Sequence, residues 1–260
     1  MTKGPGCFSE KQPGPFSCPM AMADLVYNCS QGQHVVLIQA YTVEGDMNED
    51  RRHVDIDGIY RQLSLEKIPW NVEEPPEALV ALVESGSIKP CRTIDLGCGA
   101  GNQAAYLAGR GFSVTGVDSS AEAIRLAQEN AAGKGVSCLF VVADVLGDVR
   151  ALGETFDFAY DWGLLHHIYP EQRKKYVANV HRLLSKGGKY LSVCFSEQDP
   201  QFGGVGKYRK TSLGTVLYFS SEDELRELYE GCFTIIELKT IQIAGRAAAH
   251  QANYAFMERK

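Results

Sequence analysis

The amino-acid sequence predicts an α/β protein whose strands form a mostly parallel sheet with helices on both faces. Short apolar segments alternate with segments of helical periodicity from about residue 55 to the end of the chain. The connections between them are short, and neither an internal repeat nor a low-complexity tract competes with this interpretation. With 260 residues, 45% of them hydrophobic, the chain is long enough to bury the core of such a sheet.

The first 46 residues do not follow this pattern. They contain Gly4-Pro5-Gly6 and Pro13-Gly14-Pro15, but no sustained helical or strand period. We expect a loosely ordered extension over residues 1–46 and one domain over residues 47–260. Because Met47 begins a more conventional stretch, an internal start at this residue is a further hypothesis.

Two helices are predicted before the first strand. Residues 56–63 carry apolar side chains at helical spacing, and a second helix is predicted to have Pro75-Pro76 in its first turn. The strands that follow are predicted at residues 92–95, 112–117, 136–142, 156–160, 189–195, 233–239 and 252–258.

The helices between these strands have recognisable ends. Two of them are predicted at residues 102–108 and 172–184. Two more are predicted to begin after the serine pairs Ser119-Ser120 and Ser220-Ser221. Ser119 or Ser120 is the predicted N-cap of the helix that follows the first pair. Glu122 lies three residues after Ser119, as in a capping box. Ser220-Ser221-Glu222-Asp223-Glu224 forms a second capping-box candidate.

Charge and cysteine content limit the classes of function. A net charge of -6 gives no general attraction to nucleic acid or to an anionic membrane surface. The eight cysteines form no CxxC pair, so we expect reduced thiols in a cytoplasmic protein. The apolar runs are too short to span a membrane, and no secretion signal is predicted.

The loop after the first predicted strand carries the strongest signal. It reads Asp95-Leu96-Gly97-Cys98-Gly99-Ala100-Gly101, with three glycines that let the backbone approach a ligand closely. A dinucleotide site would require G-x-G-x-x-G and would place a pyrophosphate beside this loop. The carboxylate of Asp95 would repel phosphates, so it predicts a ligand with an ammonium group.

This loop resembles the D/E-x-G-x-G-x-G loop of class I S-adenosylmethionine-dependent methyltransferases. The resemblance implies a Rossmann-like, doubly wound, seven-stranded sheet with its last strand antiparallel. It also implies that Asp118 binds the ribose hydroxyls, that Asp144 lies beside the adenine amine, and that Asp161 lies near the methionine part and the transferred methyl group. The predicted cofactor-binding residues are Asp95, Gly97, Cys98, Gly99, Gly101, Asp118, Ser119, Asp144, Val145, Asp161 and Trp70. Helix N-caps are the alternative for Asp118 and Asp144, and a small filler side chain is the alternative for Cys98.

The acceptor side resembles one branch of that superfamily. Pro69-Trp70 and the segment from Asp161 to His167 are similar to elements of the thiopurine, thiol/halide and tellurite-detoxifying enzymes, although Asn71 stands where that branch has Asp. The resemblance therefore implies methyl transfer to a small molecule. If the acceptor needs a base, Asp161, His166 and His167 are the catalytic candidates. The alternative for the two histidines is a helical turn with one ring packed and one solvated.

Residues 196–219 form a long Gly-rich connection that resembles a lid, with Tyr208 and Arg209 as candidate acceptor contacts. A solvated basic loop is the alternative. No metal site is predicted, because the histidines have no ligand spacing with cysteine or carboxylate. Two other functions stay open at this point: an NAD-dependent oxidoreductase and a non-catalytic cofactor-binding interaction domain.

Overall fold

The computed structural model describes residues 26–28, 34–36, 54–153, 155–246 and 248–260. The first two segments are β1 (Val26–Asn28) and β2 (His34–Val36), which pair antiparallel. Apart from this pair, the extension predicted over residues 1–46 lies outside the described residues.

The rest of the chain alternates between helices and strands, as predicted. The elements in chain order are α1 (Ile56–Gln62), α2 (Glu77–Glu84), β3 (Arg92–Leu96), α3 (Asn102–Gly109), β4 (Ser113–Asp118), α4 (Ala121–Gly133), β5 (Leu139–Val142), β6 (Phe156–Trp162), α5 (Pro170–Leu183), β7 (Leu184–Phe195), β8 (Tyr208–Lys210), β9 (Val216–Tyr218), α6 (Glu222–Tyr229), β10 (Phe233–Ile243) and β11 (His250–Arg259).

Seven of these strands form one sheet in the order β10-β11-β7-β6-β3-β4-β5. The pairs β3–β4, β3–β6, β4–β5 and β6–β7 are parallel, whereas β11 is antiparallel to both β7 and β10. The prediction of a mostly parallel, seven-stranded sheet with an antiparallel last strand is confirmed.

The strand order reverses at β3, which lies between β4 and β6. In open parallel sheets the crevice at such a reversal is where ligands bind, beyond the carboxyl ends of the strands. Asp95 lies near the carboxyl end of β3, and Asp118 ends β4. The fold therefore brings the glycine loop and the first two predicted acids to one edge of the sheet.

The core has two layers, one on each face of the sheet. Helices α5 and α6 cover one face with side chains such as Tyr176, Val180 and Leu225. Helices α2, α3 and α4 cover the other face with side chains such as Leu79 and Leu107. Because both faces of the sheet are covered, the central strands β3 and β6 are buried along most of their length rather than at every second residue.

Helix α4 begins at a different serine from the one expected in the capping box. Ser120 is the N-cap, and its hydroxyl accepts the N–H of Ala123 at 3.0 Å. The capping box predicted for Ser119 and Glu122 is wrong, because the Glu122 carboxylate pairs instead with Arg125.

The second capping box is confirmed at the start of α6. The Ser221 hydroxyl accepts the N–H of Glu224 at 3.2 Å, and the Glu224 carboxylate accepts the N–H of Ser221 at 2.9 Å. Both contacts satisfy donors that an uncapped helix leaves unpaired.

Other element boundaries differ from the prediction by a few residues. Pro76 is the N-cap of α2, so the two prolines precede the helix. Strand β6 continues to Trp162, and the connection at 196–219 contains the antiparallel pair β8–β9. Among the helices of the described segments, none is long and apolar enough to cross a membrane.

Candidate functional site

The loop between β3 and α3 turns through three glycines in left-handed backbone conformations. The φ angles are 72° at Gly97, 53° at Gly99 and 71° at Gly101. The N–H groups of Gly97 and Cys98 both donate to the carbonyl of Val117 on β4, at 2.8 and 3.0 Å. Glycine is required here because other residues adopt such conformations only at a free-energy cost.

Asp95 is a buried carboxyl group that lacks a complete set of partners. Its side chain is 3% exposed, and among the described residues its Oδ2 has no hydrogen-bond partner. Burial raises the pKa of Asp95 to about 7. A buried oxygen without a partner is costly, and an ammonium group would satisfy it. The chemistry of this position therefore fits the amino-acid end of S-adenosylmethionine.

Asp118 connects the end of β4 to the glycine loop. Its Oδ2 accepts the N–H of Gly99 at 2.9 Å, and its Oδ1 accepts the N–H of Ser120 at 2.9 Å. Burial raises the pKa of Asp118, while these backbone hydrogen bonds act in the opposite direction. The N-cap alternative does not apply, because Ser120 caps α4. Ser119 is exposed beside it.

Asp144 and Val145 lie just beyond β5, at the same edge of the sheet. Asp144 is exposed, and its Oδ1 accepts the N–H of Leu146 at 2.8 Å. Asp148, not Asp144, caps the short helical turn that follows. Val145 packs against the core beneath this turn. The N-cap alternative therefore fails for Asp144 as well.

Tyr60 of α1 is a site residue that the sequence did not reveal. Its hydroxyl oxygen accepts a hydrogen bond from Nε1 of Trp70 at 2.8 Å. A Cβ at Gly99 would lie 2.7 Å from this oxygen, so the tyrosine covers the middle of the loop. Burial and the charge of Asp118 raise the pKa of Tyr60. The sequence showed Tyr60 only as one member of an apolar helical face.

Asp57 holds helix α1 against the start of α4. Oδ1 of Asp57 accepts the hydroxyl of Ser120 at 2.7 Å and the N–H of Glu122 at 2.9 Å. These contacts fix α1 over the glycine loop and so fix the position of Tyr60. They also place an acid at the N-terminus of α4, where the helix dipole favours negative charge.

Cys98 is directed into the core. The thiol is buried, and burial raises its pKa well above the ordinary value. A Cβ at Gly116 would lie 3.0 Å from its sulfur, so the thiol packs against β4. This placement agrees with the small-filler alternative, and it leaves only the Cys98 backbone as a candidate cofactor contact.

Asp161 does not lie at the open edge of the site. It is completely buried on the α5 side of β6, where its Oδ2 accepts hydrogen bonds from the hydroxyls of Tyr176 and Tyr190. Its Oδ1 accepts the N–H of Leu165 at 3.4 Å. Burial raises the pKa of Asp161 to about 6. The predicted contact of this carboxylate with an acceptor is not supported, because tyrosines occupy it and the core encloses it.

The two predicted histidines have different surroundings. His166 is buried, its ring is stacked on Phe195 with 4.4 Å between ring centroids, and its Nδ1 accepts the N–H of Phe195 at 3.4 Å. Burial keeps the pKa of His166 well below its ordinary value. His167 is exposed. Desolvation nevertheless lowers the pKa of His167 to about 4, so the alternative of one packed and one solvated ring stays a prediction.

An aromatic cluster lies at the carboxyl end of β7. We use this term for His166, Phe195, Phe202, Phe219 and His250. Phe195 is the centre: its ring centroid lies 5.3 Å from that of Phe219, 6.0 Å from that of Phe202 and 4.8 Å from that of His250. Trp162 ends the neighbouring strand β6. The cluster therefore lies beside the crevice that the glycine loop borders.

The predicted acceptor contact Arg209 is buried inside the loop that follows β7. Its guanidinium donates to the carbonyls of Glu197, Asp199, Gln201 and Gly206, and it lies over the ring of Phe219. Arg209 is 3% exposed, so it is not part of a solvated basic loop either. Tyr208, in contrast, is exposed.

Comparison with known proteins agrees with this geometry. Residues 94–188 match the model of a family described as a methyltransferase domain. The 2-heptyl-1-hydroxyquinolin-4(1H)-one methyltransferase of Mycobacteroides abscessus is 28% identical over 178 residues, which cover 67% of this chain and 72% of that protein. The cyclopropane-fatty-acyl-phospholipid synthase of Escherichia coli is 36% identical over 124 residues, which cover 46% of this chain and only 31% of that enzyme.

A solved structure shows the same fold. The 1,6-didemethyltoxoflavin-N1-methyltransferase of Burkholderia thailandensis, solved with 1,6-didemethyltoxoflavin and S-adenosylhomocysteine, superposes with a TM-score of 0.61 at 22% identity. The superposition covers 90% of this chain and 99% of that one.

These matches, the intact glycine loop and the unpaired carboxylate of Asp95 exclude the NAD-dependent and non-catalytic alternatives as leading interpretations. The methyl donor is S-adenosylmethionine. The chain therefore carries a methyltransferase domain with the Rossmann-like fold of the class I S-adenosylmethionine-dependent enzymes.

Proposed function

We propose that this methyltransferase acts on a small, flat heteroaromatic molecule and transfers the methyl group to one of its oxygen or nitrogen atoms. The observation that carries this proposal is the aromatic cluster at the carboxyl ends of β6 and β7. Phe195, Phe202 and His250 are only partly buried, so this side of the cluster offers apolar surface that a planar molecule can contact. Its position beside the crevice that the glycine loop borders suits transfer between a cofactor and an acceptor bound side by side.

The names of two related proteins support the same class of acceptor. One acts on a hydroxyquinolinone, and the other was solved with 1,6-didemethyltoxoflavin. Both names describe small molecules rather than nucleic acid or protein. We do not assign these particular acceptors to this chain. They support only the proposed chemical class, a small heteroaromatic molecule.

We assign the cofactor contacts to the crevice at β3. The carboxylate of Asp95 would bind the ammonium group, and the backbone of Gly97, Gly99 and Gly101 would line the loop. Asp118, with Ser119 beside it, would bind the ribose hydroxyls. The adenine would lie near Asp144 and Val145, beyond β5.

Trp70 and Tyr60 would cover this cofactor from the side of α1. The hydrogen bond between them orients the indole above the loop. When bound, S-adenosylmethionine supplies a methyl group on a positively charged sulfur. The protein has to align the acceptor with that methyl group and exclude water, and rigid aromatic walls serve both purposes.

Asp161 has a different proposed role from the one that the resemblance implied. Two tyrosine hydroxyls hold its carboxylate inside the core, so we propose that it fixes the end of β6 and the turn after it. His167 is exposed at the margin of the aromatic cluster, where its ring contacts His166 with 4.9 Å between centroids. We therefore leave both out of the catalytic group.

The domain is proposed to occupy residues 47–260, because α1 is tied to α4 and lies over the glycine loop. A cytoplasmic location and the lack of a nucleic-acid partner remain predictions from the sequence.

A turnover screen tests the proposed acceptor class. Purified protein with S-adenosylmethionine would be assayed for S-adenosylhomocysteine release with hydroxyquinolines, N-heterocycles, thiols, halides and fatty acids. We expect turnover with the flat heteroaromatic compounds. Turnover confined to thiols, halides or fatty acids would contradict the proposal while leaving the methyltransferase assignment intact.

A further inference from the structure

A buried acid and a histidine form a pair beside the aromatic cluster. Asp199 is 1% exposed and lies in the loop after β7. Its Oδ2 lies 3.1 Å from Nδ1 of His250, the first residue of β11. A carboxylate at Nδ1 fixes the orientation of an imidazole and selects the tautomer in which Nδ1 carries the proton.

The backbone holds Asp199 rigidly in this position. Its Oδ2 also accepts the N–H of Gln251 at 2.6 Å, and its Oδ1 accepts the N–H of Gln201 at 2.6 Å. The carbonyl of Asp199 accepts a hydrogen bond from the buried guanidinium of Arg209. A carboxylate that is bonded on both oxygens and fixed at its backbone has little freedom to move away from the histidine.

The imidazole of His250 lies between two rings of the aromatic cluster. It is parallel to Phe202, with an interplanar angle of 9° and 5.5 Å between centroids, and it is tilted against Phe195 at 4.8 Å. Phe202 has a φ of 53°, a left-handed conformation that is unusual for a bulky residue. Strained backbone of this kind concentrates at functional sites.

The second nitrogen of His250 is not used by the fold. Among the described residues, Nε2 has no hydrogen-bond partner, and it is not one of the fully enclosed polar atoms. Gly245 lies across from it: a Cβ at that position would be 2.8 Å from Nε2. The glycine lets the backbone approach this edge of the ring, and the side chain of His250 keeps 15% of its surface exposed.

The topology puts His250 at the correct edge of the sheet. Strands β6 and β7 end there, at Trp162 and Phe195. Because β11 is antiparallel to β7, its first residues lie beside the last residues of β7, and Ala252 pairs with Phe195. The histidine thus lies at the side of the crevice where the acceptor is proposed to bind.

We propose that His250, oriented by Asp199, is the general base that removes a proton from the acceptor, and that the acceptor therefore carries an ionisable hydroxyl or ring N–H group. This inference rests on the proposed function. The acceptor's O–H or N–H bond breaks and its proton passes to Nε2 of His250. The electron pair left on the oxygen or nitrogen forms the bond to the methyl carbon, and the pair of the broken S–CH3 bond stays on sulfur. The imidazolium that results is balanced by the carboxylate of Asp199.

Other charged groups near the ring do not replace it in this role. His166 packs against the same ring, Phe195, but it is buried and its Nδ1 is engaged by the backbone of Phe195. Arg209 contacts the carbonyl of Asp199, and Arg246 contacts the carbonyls of Leu65 and Asn71. Neither arginine can accept a proton.

The test uses a series of hydroxyquinolines whose substituents make the hydroxyl progressively more acidic. With members that are protonated at the assay pH, His250→Gln is expected to lower kcat by about 100-fold or more. With members that are already ionised, it is expected to change kcat less than about threefold, because no proton has to be removed. The limb of the kcat–pH profile that reports the base should disappear in His250→Gln. Asp199→Asn is expected to lower kcat with the protonated members as well, because the imidazole loses the carboxylate that orients it.

Two controls separate this role from a structural one. His181→Gln removes a histidine on α5 that contacts Phe233 and Arg259. It should leave unchanged both the kcat values across the hydroxyquinoline series and the kcat–pH profile. The affinity of each variant for S-adenosylhomocysteine should equal that of the wild type, which shows that the cofactor crevice is intact. If Asp199→Asn fails this control, His250→Gln alone decides the matter.

The outcomes are distinct. Equal losses with protonated and ionised acceptors, or an unchanged pH profile in His250→Gln, would overturn the assignment of the base and leave the proposed function standing. If the wild type turned over none of the hydroxyquinolines or N-heterocycles, both the acceptor class and the base would be wrong.

Discussion

The hydroxyl oxygen of Tyr60 lies 2.7 Å from the point that a Cβ at Gly99 would occupy. The two residues are 39 positions apart in the chain, and the contact exists because Asp57 holds α1 against the start of α4. Tyr60 therefore shapes the glycine loop from outside, and its hydrogen bond from Trp70 fixes the direction of its hydroxyl.

Gly99→Ala is expected to be harmful for two separable reasons. The residue has a φ of 53°, which costs a non-glycine residue about 1–2 kcal/mol, and the new methyl group would clash with Tyr60. We expect lower stability in denaturant unfolding and at least a tenfold loss of affinity for S-adenosylhomocysteine.

A matched control separates the two effects. Gly86 has a φ of 72°, and no neighbouring atom of the described residues lies within 4 Å of its Cβ position, so Gly86→Ala reports backbone strain alone. Adding Tyr60→Phe to Gly99→Ala should remove the clash. The double variant should then lose no more stability than Gly86→Ala does. If the double variant is no better than Gly99→Ala, Tyr60 does not constrain the loop.

Asp95→Asn is expected to stabilise the protein without cofactor. The pKa of Asp95 is about 7 in the folded protein, against 3.8 ordinarily. Between these values the folded state retains a proton that the unfolded state releases, so the wild type loses stability as the pH rises through this window.

The difference between Asp95→Asn and the wild type should thus grow by about 4 kcal/mol from about pH 4 to about pH 7 and then stay constant. Urea unfolding at a series of pH values measures it. A difference that does not vary with pH would show that Asp95 ionises normally and is not the buried acid described above.

Asp161→Asn distinguishes the structural role from the catalytic one. The amide oxygen can accept both tyrosine hydroxyls in place of Oδ2, but the amide nitrogen would then face the N–H of Leu165, which loses its acceptor. We expect a loss of about 1–3 kcal/mol in the free energy of unfolding, with kcat per folded molecule changed less than about threefold. A fall in kcat of two orders of magnitude with unchanged stability would restore the role that the family resemblance implied.

Arg209 is expected to act through the shape of the loop. Its guanidinium donates hydrogen bonds to four carbonyls. A lysine ammonium cannot make these four hydrogen bonds in the same geometry. Both Arg209→Lys and Arg209→Ala should raise the acceptor KM and speed proteolytic cleavage within residues 197–209, with the affinity for S-adenosylhomocysteine unchanged. Arg150→Lys, an exposed residue paired with Asp148, is the matched control. A wild-type acceptor KM in Arg209→Lys would contradict the proposal that the guanidinium holds the loop in shape.

The sequence predicted those features that depend on neighbouring residues. The glycine loop and the acids at the ends of β3 and β4 are encoded locally, as a strand followed by a turn, and the structure has them where they were expected. The choice between Ser119 and Ser120 as N-cap was open because both precede the helix. The contact of Ser120 with Asp57, distant in sequence, accompanies the observed cap.

Features that depend on tertiary packing could not be predicted in this way. Successive residues of a strand point to opposite faces, so a position such as Asp161 reaches the crevice or the core depending on a shift of a single residue. The pairing of Asp199 with His250 joins residues 51 positions apart through the antiparallel return of β11. The position of Tyr60 over Gly99 likewise follows from the docking of a whole helix.

Calorimetric titration of the wild type and Asp95→Asn with S-adenosylhomocysteine, at a pH above about 7, tests most directly whether this buried carboxylate holds the amino-acid end of the cofactor. We predict tight binding by the wild type and a loss of about 100-fold or more in Asp95→Asn, although the variant is the more stable protein. Equal affinities of the two proteins would contradict the assignment of Asp95.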